Sequence, residues 1–96
     1  MITIGQYLEK CKKKLNVKTF AAVARAADAS PAYLLQVRSG VHRCNDYVCI
    51  RLAKIMNDRP ERVLAIADYT TAAENVKPIR EIMFNKIDQA IKKDSI

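Results

Sequence analysis

The side chains able to do chemistry in this chain are few, and their spacing excludes more than it permits. One histidine and three cysteines occur in 96 residues. His42, Cys44 and Cys49 form the one close grouping, His-x-Cys-x4-Cys. Imidazole and thiolate both ligate zinc, but a structural site takes four ligands and no second close Cys/His pair follows. No metal or other cofactor is therefore expected. Cys11, Cys44 and Cys49 are odd in number and lack framework spacing, so they read as reduced thiols, with Cys49 on the apolar side of a helix. There is no Gly-rich phosphate loop, and no Ser/His/Asp or paired-carboxylate arrangement stands out. The chain does not read as an enzyme.

Charge is the stronger signal. Seventeen Lys and Arg face ten Asp and Glu, a formal net charge of +7. Residues 1–62 hold twelve basic and five acidic side chains, whereas residues 63–96 hold five of each. All the excess lies in the first two thirds. A basic face neutralises phosphates and releases their counterions, which favours nucleic acid as the partner over a merely solvated surface. No window approaches eighteen uninterrupted apolar residues, so no membrane span is expected. Met1-Ile2-Thr3-Ile4-Gly5 lacks a signal peptide's basic and apolar regions, and a cytosolic location is expected.

The elements that would position these charges are helices, since half the residues are apolar, only two are Gly, and no strand pattern appears. Thr3 and Gln6 fit a capping box opening a helix to about Lys14, with Ile4, Tyr7, Leu8, Cys11 and Leu15 at helical spacing. Lys12, Lys13 and Lys14 fall in its last turn, where the helix dipole favours cations; that reading is preferred here to nucleic-acid contact. Thr19 caps an alanine-rich helix over about Phe20 to Ala27. Asp28-Ala29-Ser30 is a turn, Ser30 and Pro31 start a helix that reaches Ser39, and Gly40 ends it. Asn45 or Asp46 begins a fourth helix, and Pro60 a fifth through about Asp68. Tyr69 to Asn75 reads as a linker before a last helix, about Val76 to Lys93, with Ile79, Met83, Ile87 and Ile91 four apart.

Two short helices joined by a tight turn are the layout of a helix-turn-helix. Val23, Ala24, Asp28, Ala29, Ser30, Leu34, Leu35 and Gly40 stand where the lambda-repressor-like family, which includes Cro and Xre-type regulators, roughly reads Leu-Ala-x-x-x-Gly-Val-Ser-x-x-x-Ile-Ser-x-x-x-x-Gly. The segment resembles that motif. Leu52-Ala53-x-x-Met56 and Pro60-Glu61-x-Val63-Leu64 resemble the last two helices of the same five-helix domain, so the likeness covers residues 2–68. It implies a five-helix lambda-repressor-like helix-turn-helix domain over 1–70; the chain is then all-α, with a C-terminal amphipathic helix over 71–96 that lies outside the likeness. It also implies a DNA-binding transcriptional regulator of phage or mobile-element type, a repressor acting on double-stranded DNA as a homodimer in a bacterial cytoplasm. An antitoxin or protein-interaction module on the same scaffold is the alternative. No sensor domain fits in the remaining residues, so no small-molecule ligand is expected.

Departures from the family pattern bear on the site. Asp28 replaces the usual turn Gly, and Asp tolerates a left-handed backbone better than most residues. Pro31 and Ala32 stand where base-reading side chains are common, and neither side chain can hydrogen-bond a base edge. Gln36 is then the reader, able to make a bidentate contact with adenine. Leu35 or Ala32 touches a thymine methyl, unless Leu35 packs on the fourth helix or on a dimer partner. For phosphates the start of the second helix offers the backbone N–H groups at Thr19 and Phe20, with Ser30 at the turn, and the resemblance implies Ser39, His42 and Arg43 after the recognition helix. Tyr33 and Arg38 either add to these contacts or pack and pair locally. Dimerisation falls to Ile79, Met83, Ile87 and Ile91, or that stripe packs back on the first and fifth helices.

Overall fold

The computed structural model of the chain describes residues 1–94, and among them it contains helices and no strand. In order they are α1 (Ile4–Leu15), α2 (Phe20–Ala26), α3 (Pro31–Arg38), α4 (Asp46–Met56), α5 (Pro60–Thr71) and α6 (Lys77–Asp94). The all-helical expectation holds, with starts and stops close to those read from capping residues. Thr3 and Gln6 do form a capping box: Thr3 Oγ1 accepts from the Gln6 N–H at 3.3 Å, and the Thr3 N–H donates back to Gln6 Oε1 at 2.8 Å. Thr19, Ser30 and Asn45 accept from the N–H three residues on. Pro60 opens α5, where a missing N–H leaves nothing unsatisfied.

Four of the helices end in one way. An N–H two or three residues past the helix reaches back to a carbonyl five residues earlier: Val17 to Lys12, Ala29 to Ala24, Val41 to Gln36 and Asp58 to Ala53. This closure needs a left-handed residue just past the helix. Gly40 supplies it once, at φ 82°, while Asn16, Asp28 and Asn57 supply it at φ 55°, 55° and 51°. Those three side chains are the non-glycine types that tolerate that conformation best.

One core holds α1 to α5 together. Ile4, Tyr7, Leu8 and Cys11 of α1 meet Val23 and Ala24 of α2, Leu34 and Val37 of α3, Val48, Cys49 and Leu52 of α4, and Val63 and Ile66 of α5. Burying each of the Ile, Leu and Val side chains among these contributes about 1.5–3 kcal/mol. Where α1 meets the end of α3 the backbones touch. A Cβ on Gly5 would lie 2.9 Å from the Arg38 carbonyl oxygen.

One boundary differs clearly from expectation. Helix α5 runs three residues past Asp68, which shortens the linker. The Thr70 hydroxyl explains this: it donates to the Ile66 carbonyl at 2.8 Å and accepts from the Ile4 N–H at 2.8 Å. The end of α5 thereby caps the start of α1. Helix α6 lies along α5, and its contacts are partly polar. Arg62 bridges Asp58 at 3.3 Å and Asp88 at 2.9 Å, and Lys77 donates to the carbonyls of Tyr69 and Thr70 at the end of α5.

The apolar repeat of α6 does not form one face, which corrects the expected dimer stripe. Positions four apart advance about 400° on a helix of 3.6 residues per turn, a drift of about 40° per step. Ile79 and Met83 accordingly face solvent, Ile87 is half-buried, and Ile91 is buried within the protomer at 8% exposure. Ile91 is therefore unavailable as a dimer contact. The free apolar side chains on one face are Ile79, Ile82 and Met83.

Two outcomes follow from this packing. Gly5→Ala should destabilise the chain by about 1–3 kcal/mol, because the obstructing atom is backbone and cannot swing aside; a thermal melt should show a midpoint lower by several degrees. Burial also pushes the Cys11 thiol from 9.0 up to about 12. Above pH 9 the unfolded chain loses a proton that the folded chain keeps, so stability falls as pH rises toward 12. Urea midpoints measured across that window should decline, and Cys11→Ala should make the decline shallower.

Candidate nucleic-acid interface

Helix α3 is eight residues long and is held from beneath. Leu34 and Val37 are fully buried, and Tyr33 is half-buried beside them. The Tyr33 hydroxyl donates to the Arg43 carbonyl at 3.2 Å and accepts from the Asn45 N–H at 2.9 Å. Tyr33 thus pairs locally and ties α3 to the start of α4. Pro31, Ala32, Leu35 and Gln36 all face outward, and Leu35 is 53% exposed. The structure brings together the four residues expected on the outer face. Gln36 is the one among them with a hydrogen-bonding side chain.

The turn before α3 is braced by α4, through two contacts the sequence does not reveal. The Tyr47 hydroxyl donates to Asp28 at 2.8 Å, which raises the pKa of that phenol. Arg51 donates to the Ala26 carbonyl at 3.2 Å, at the end of α2. Asp28 therefore serves twice, as the left-handed residue and as an acceptor that fixes the turn. Tyr47 and Arg51 lie four apart on α4, a spacing that puts them on one face. That spacing was legible, but their partners nineteen and twenty-five residues away were not.

The expected phosphate contacts separate into four groups. Thr19 and Ser30 are exposed caps whose hydroxyls accept from Ala22 and Tyr33. Ser39 is exposed and donates to the Gln36 carbonyl at 3.0 Å, and His42 is exposed in the loop beyond. Phe20 and Arg38 come together: the guanidinium lies 4.1 Å from the ring centroid, and Lys12 Nζ lies 4.8 Å from the same point. Arg43 requires a correction. Its Nε donates to Asp68 at 2.7 Å, and its Nη1 donates to Asp46 at 3.0 Å and to the Cys44 carbonyl at 2.9 Å. With carboxylates on α4 and α5 in reach, the guanidinium is an internal tie rather than a free cation.

The zinc grouping is divided by the fold. His42 is exposed, whereas Cys44 and Cys49 are fully buried. The two cysteines flank the Asn45 cap at the positions where apolar side chains staple a helix start. The Cys49 thiol donates to the Cys44 carbonyl at 3.5 Å, and a hydrogen bond with Cys49 together with burial raises the Cys44 thiol above its ordinary value.

Charge is distributed unevenly among partners. Among the described residues, ion pairs engage Arg43, Arg59, Arg62, Arg80 and Lys92. None engages the side chains of Lys10, Lys12, Lys13, Lys14, Lys18, Arg25 or Arg38. Of the cations without an ion pair among the described residues, these seven sit on α1, α2, α3 and the turn between the first two, and Arg51, Lys54, Lys77, Lys86 and Lys93 on α4 and α6.

Comparison with protein-family models, with curated proteins and with solved structures finds no match to this chain.

Arg43→Gln separates a structural tie from a phosphate contact. Its guanidinium is about a third exposed, so the loss should stay near 1 kcal/mol after solvent screening. The expected result is a lower melting temperature with no change in the salt dependence of any nucleic-acid binding.

Proposed function

We propose that the chain is a sequence-specific DNA-binding transcriptional regulator of the lambda-repressor-like type, a phage or mobile-element repressor acting on its operator as a homodimer. The observation that carries this reading is the solvent-facing outer surface of α3, with Gln36 on it, beside cations that lack acidic partners among the described residues. A short helix of this kind fits a major groove about 12 Å wide. The neighbouring lysines and arginines supply attraction to phosphates that carries no sequence information. Base reading then falls to Gln36 through an adenine, with Ala32 and Leu35 against a thymine methyl.

A homodimer accords with the small footprint of one such unit, since two units on half-sites one helical turn apart read enough base pairs for specificity. Ile79, Ile82 and Met83 on α6 are the apolar surface offered for that contact. Repression follows when the bound dimer blocks polymerase. The apolar character of Leu35 and of Val41, 68% exposed just past α3, favours a second reading. A protein-interaction module or antitoxin would use the same surface against another protein.

Selection of binding sites from a random duplex pool tests the first reading. The expected outcome is a two-part site with half-sites about 10 base pairs apart and a preferred adenine in each. Gln36→Ala should erase the preference at that adenine, worth about 1–3 kcal/mol of discrimination. An unchanged preference would remove Gln36 from base reading. Failure of the wild-type chain to bind any duplex at low salt would favour the protein-interaction reading.

A further inference from the structure

Three helix ends meet at one aromatic ring. Phe20 is the first residue of α2, Arg38 is the last of α3, and Lys12 lies in the last turn of α1. Lys12 Nζ and the Arg38 guanidinium stand 4.8 Å and 4.1 Å from the Phe20 ring centroid, which bounds their separation at 8.9 Å. Contact with the close-packed Gly5 fixes the Arg38 backbone against α1. The ring attracts each cation but neutralises neither.

Neither side chain has an ion-pair partner among the described residues. Two like charges are thus held within about a screening length of each other with no ion-pair partner to offset them. Lys13 and Lys14 are exposed at the end of α1, and Lys18 is exposed in the turn beyond. That surrounding charge suits an extended polyanion rather than a single carboxylate. Arg38 also follows the exposed Leu35 by three residues, a spacing that sets the pair beside the outer face of α3.

We propose that Lys12 and Arg38, held against Phe20, form a two-cation seat for the phosphodiester backbone of duplex DNA. This inference rests on the DNA-binding reading above. It moves the principal backbone contact away from Arg43, which is tied internally. It also gives Lys12 a role beyond its favourable place at the C-terminal end of the α1 dipole. Phe20 is a positioning residue: it holds the two cations in register without itself touching phosphate.

The test is fluorescence anisotropy of a labelled duplex with the full chain across a potassium chloride series. Wild type, Lys12→Gln, Arg38→Gln, Phe20→Leu and, as an exposed cation on α4, Lys54→Gln would be compared, each with a thermal melt. Lys12→Gln and Arg38→Gln should each flatten the plot of log affinity against log salt by about 0.9 and weaken binding roughly five- to tenfold near 0.1 M salt. Lys54→Gln should leave the slope unchanged. Phe20→Leu retains both charges, so a folded variant should bind more weakly than wild type. If Phe20→Leu does not fold, the two cation variants decide. Steep wild-type salt dependence with unchanged slopes in both cation variants would overturn the seat alone. A wild-type chain that ignores duplex DNA at low salt, or binds only anionic phospholipid vesicles, would overturn the DNA reading and the seat with it.

Discussion

Helices of seven and eight residues are too short to persist in water by themselves, because nucleation costs more than so few hydrogen bonds return. The central pair, α2 and α3, meets that constraint at its ends and on its underside. Thr19 and Ser30 satisfy donors at the two starts, while Asp28 and Gly40 close the two ends. Val23, Ala24, Leu34 and Val37 then lock the pair onto α1 and its neighbours. The orientation of Gln36 depends on all of these together. An outer face this sparse gains precision from what lies beneath it rather than from its own contacts.

The pairing of charge follows a similar division of labour. Asp46, Asp58, Glu61, Asp68 and Asp88 lie from the start of α4 onward, and they hold cations of the same region. Exposed ion pairs of that kind contribute only about 0–1 kcal/mol each. Their larger effect is on the field. With those acids occupied locally, the cations from Lys10 to Arg38 keep their charge unopposed by ion pairing. A net charge of +7 is therefore expressed mainly over α1 to α3, where the exposed face of α3 also lies. Arg43 illustrates the boundary: it follows that stretch by five residues and belongs to the paired set.

Local signals in the sequence were enough for the helices. Thr3, Thr19, Ser30 and Asn45 announce starts because a capping oxygen acts within three residues. Pro31 and Pro60 do so because proline fixes its own backbone. The left-handed Asp28 was legible for the same reason. Long-range partners were not. Nothing near Arg43 in the chain points to Asp68, and nothing near Lys12 points to the ring of Phe20. The extension of α5 past Asp68 depends on a bond from Ile4, sixty-six residues before Thr70. The missing side chain of Gly5 is what lets α1 approach the end of α3, and that need comes from Arg38, thirty-three residues away.

The last helix shows how a correct local pattern can mislead about a surface. An apolar residue every fourth position does specify a helix, but the stripe turns as it goes. Its last member, Ile91, reaches the protomer's interior, while Ile79 remains 57% exposed. Polar ties at Lys77, Glu81 and Asp88 hold α6 to α5, to Met1 and to Arg62. The helix is thus anchored independently of its outward apolar residues. Ile79, Ile82 and Met83, spaced i, i+3 and i+4, share one face, unlike the singly scattered apolar side chains that any surface carries. Since the anchoring does not use that face, its substitution can be separated from folding in a way that truncating the helix cannot.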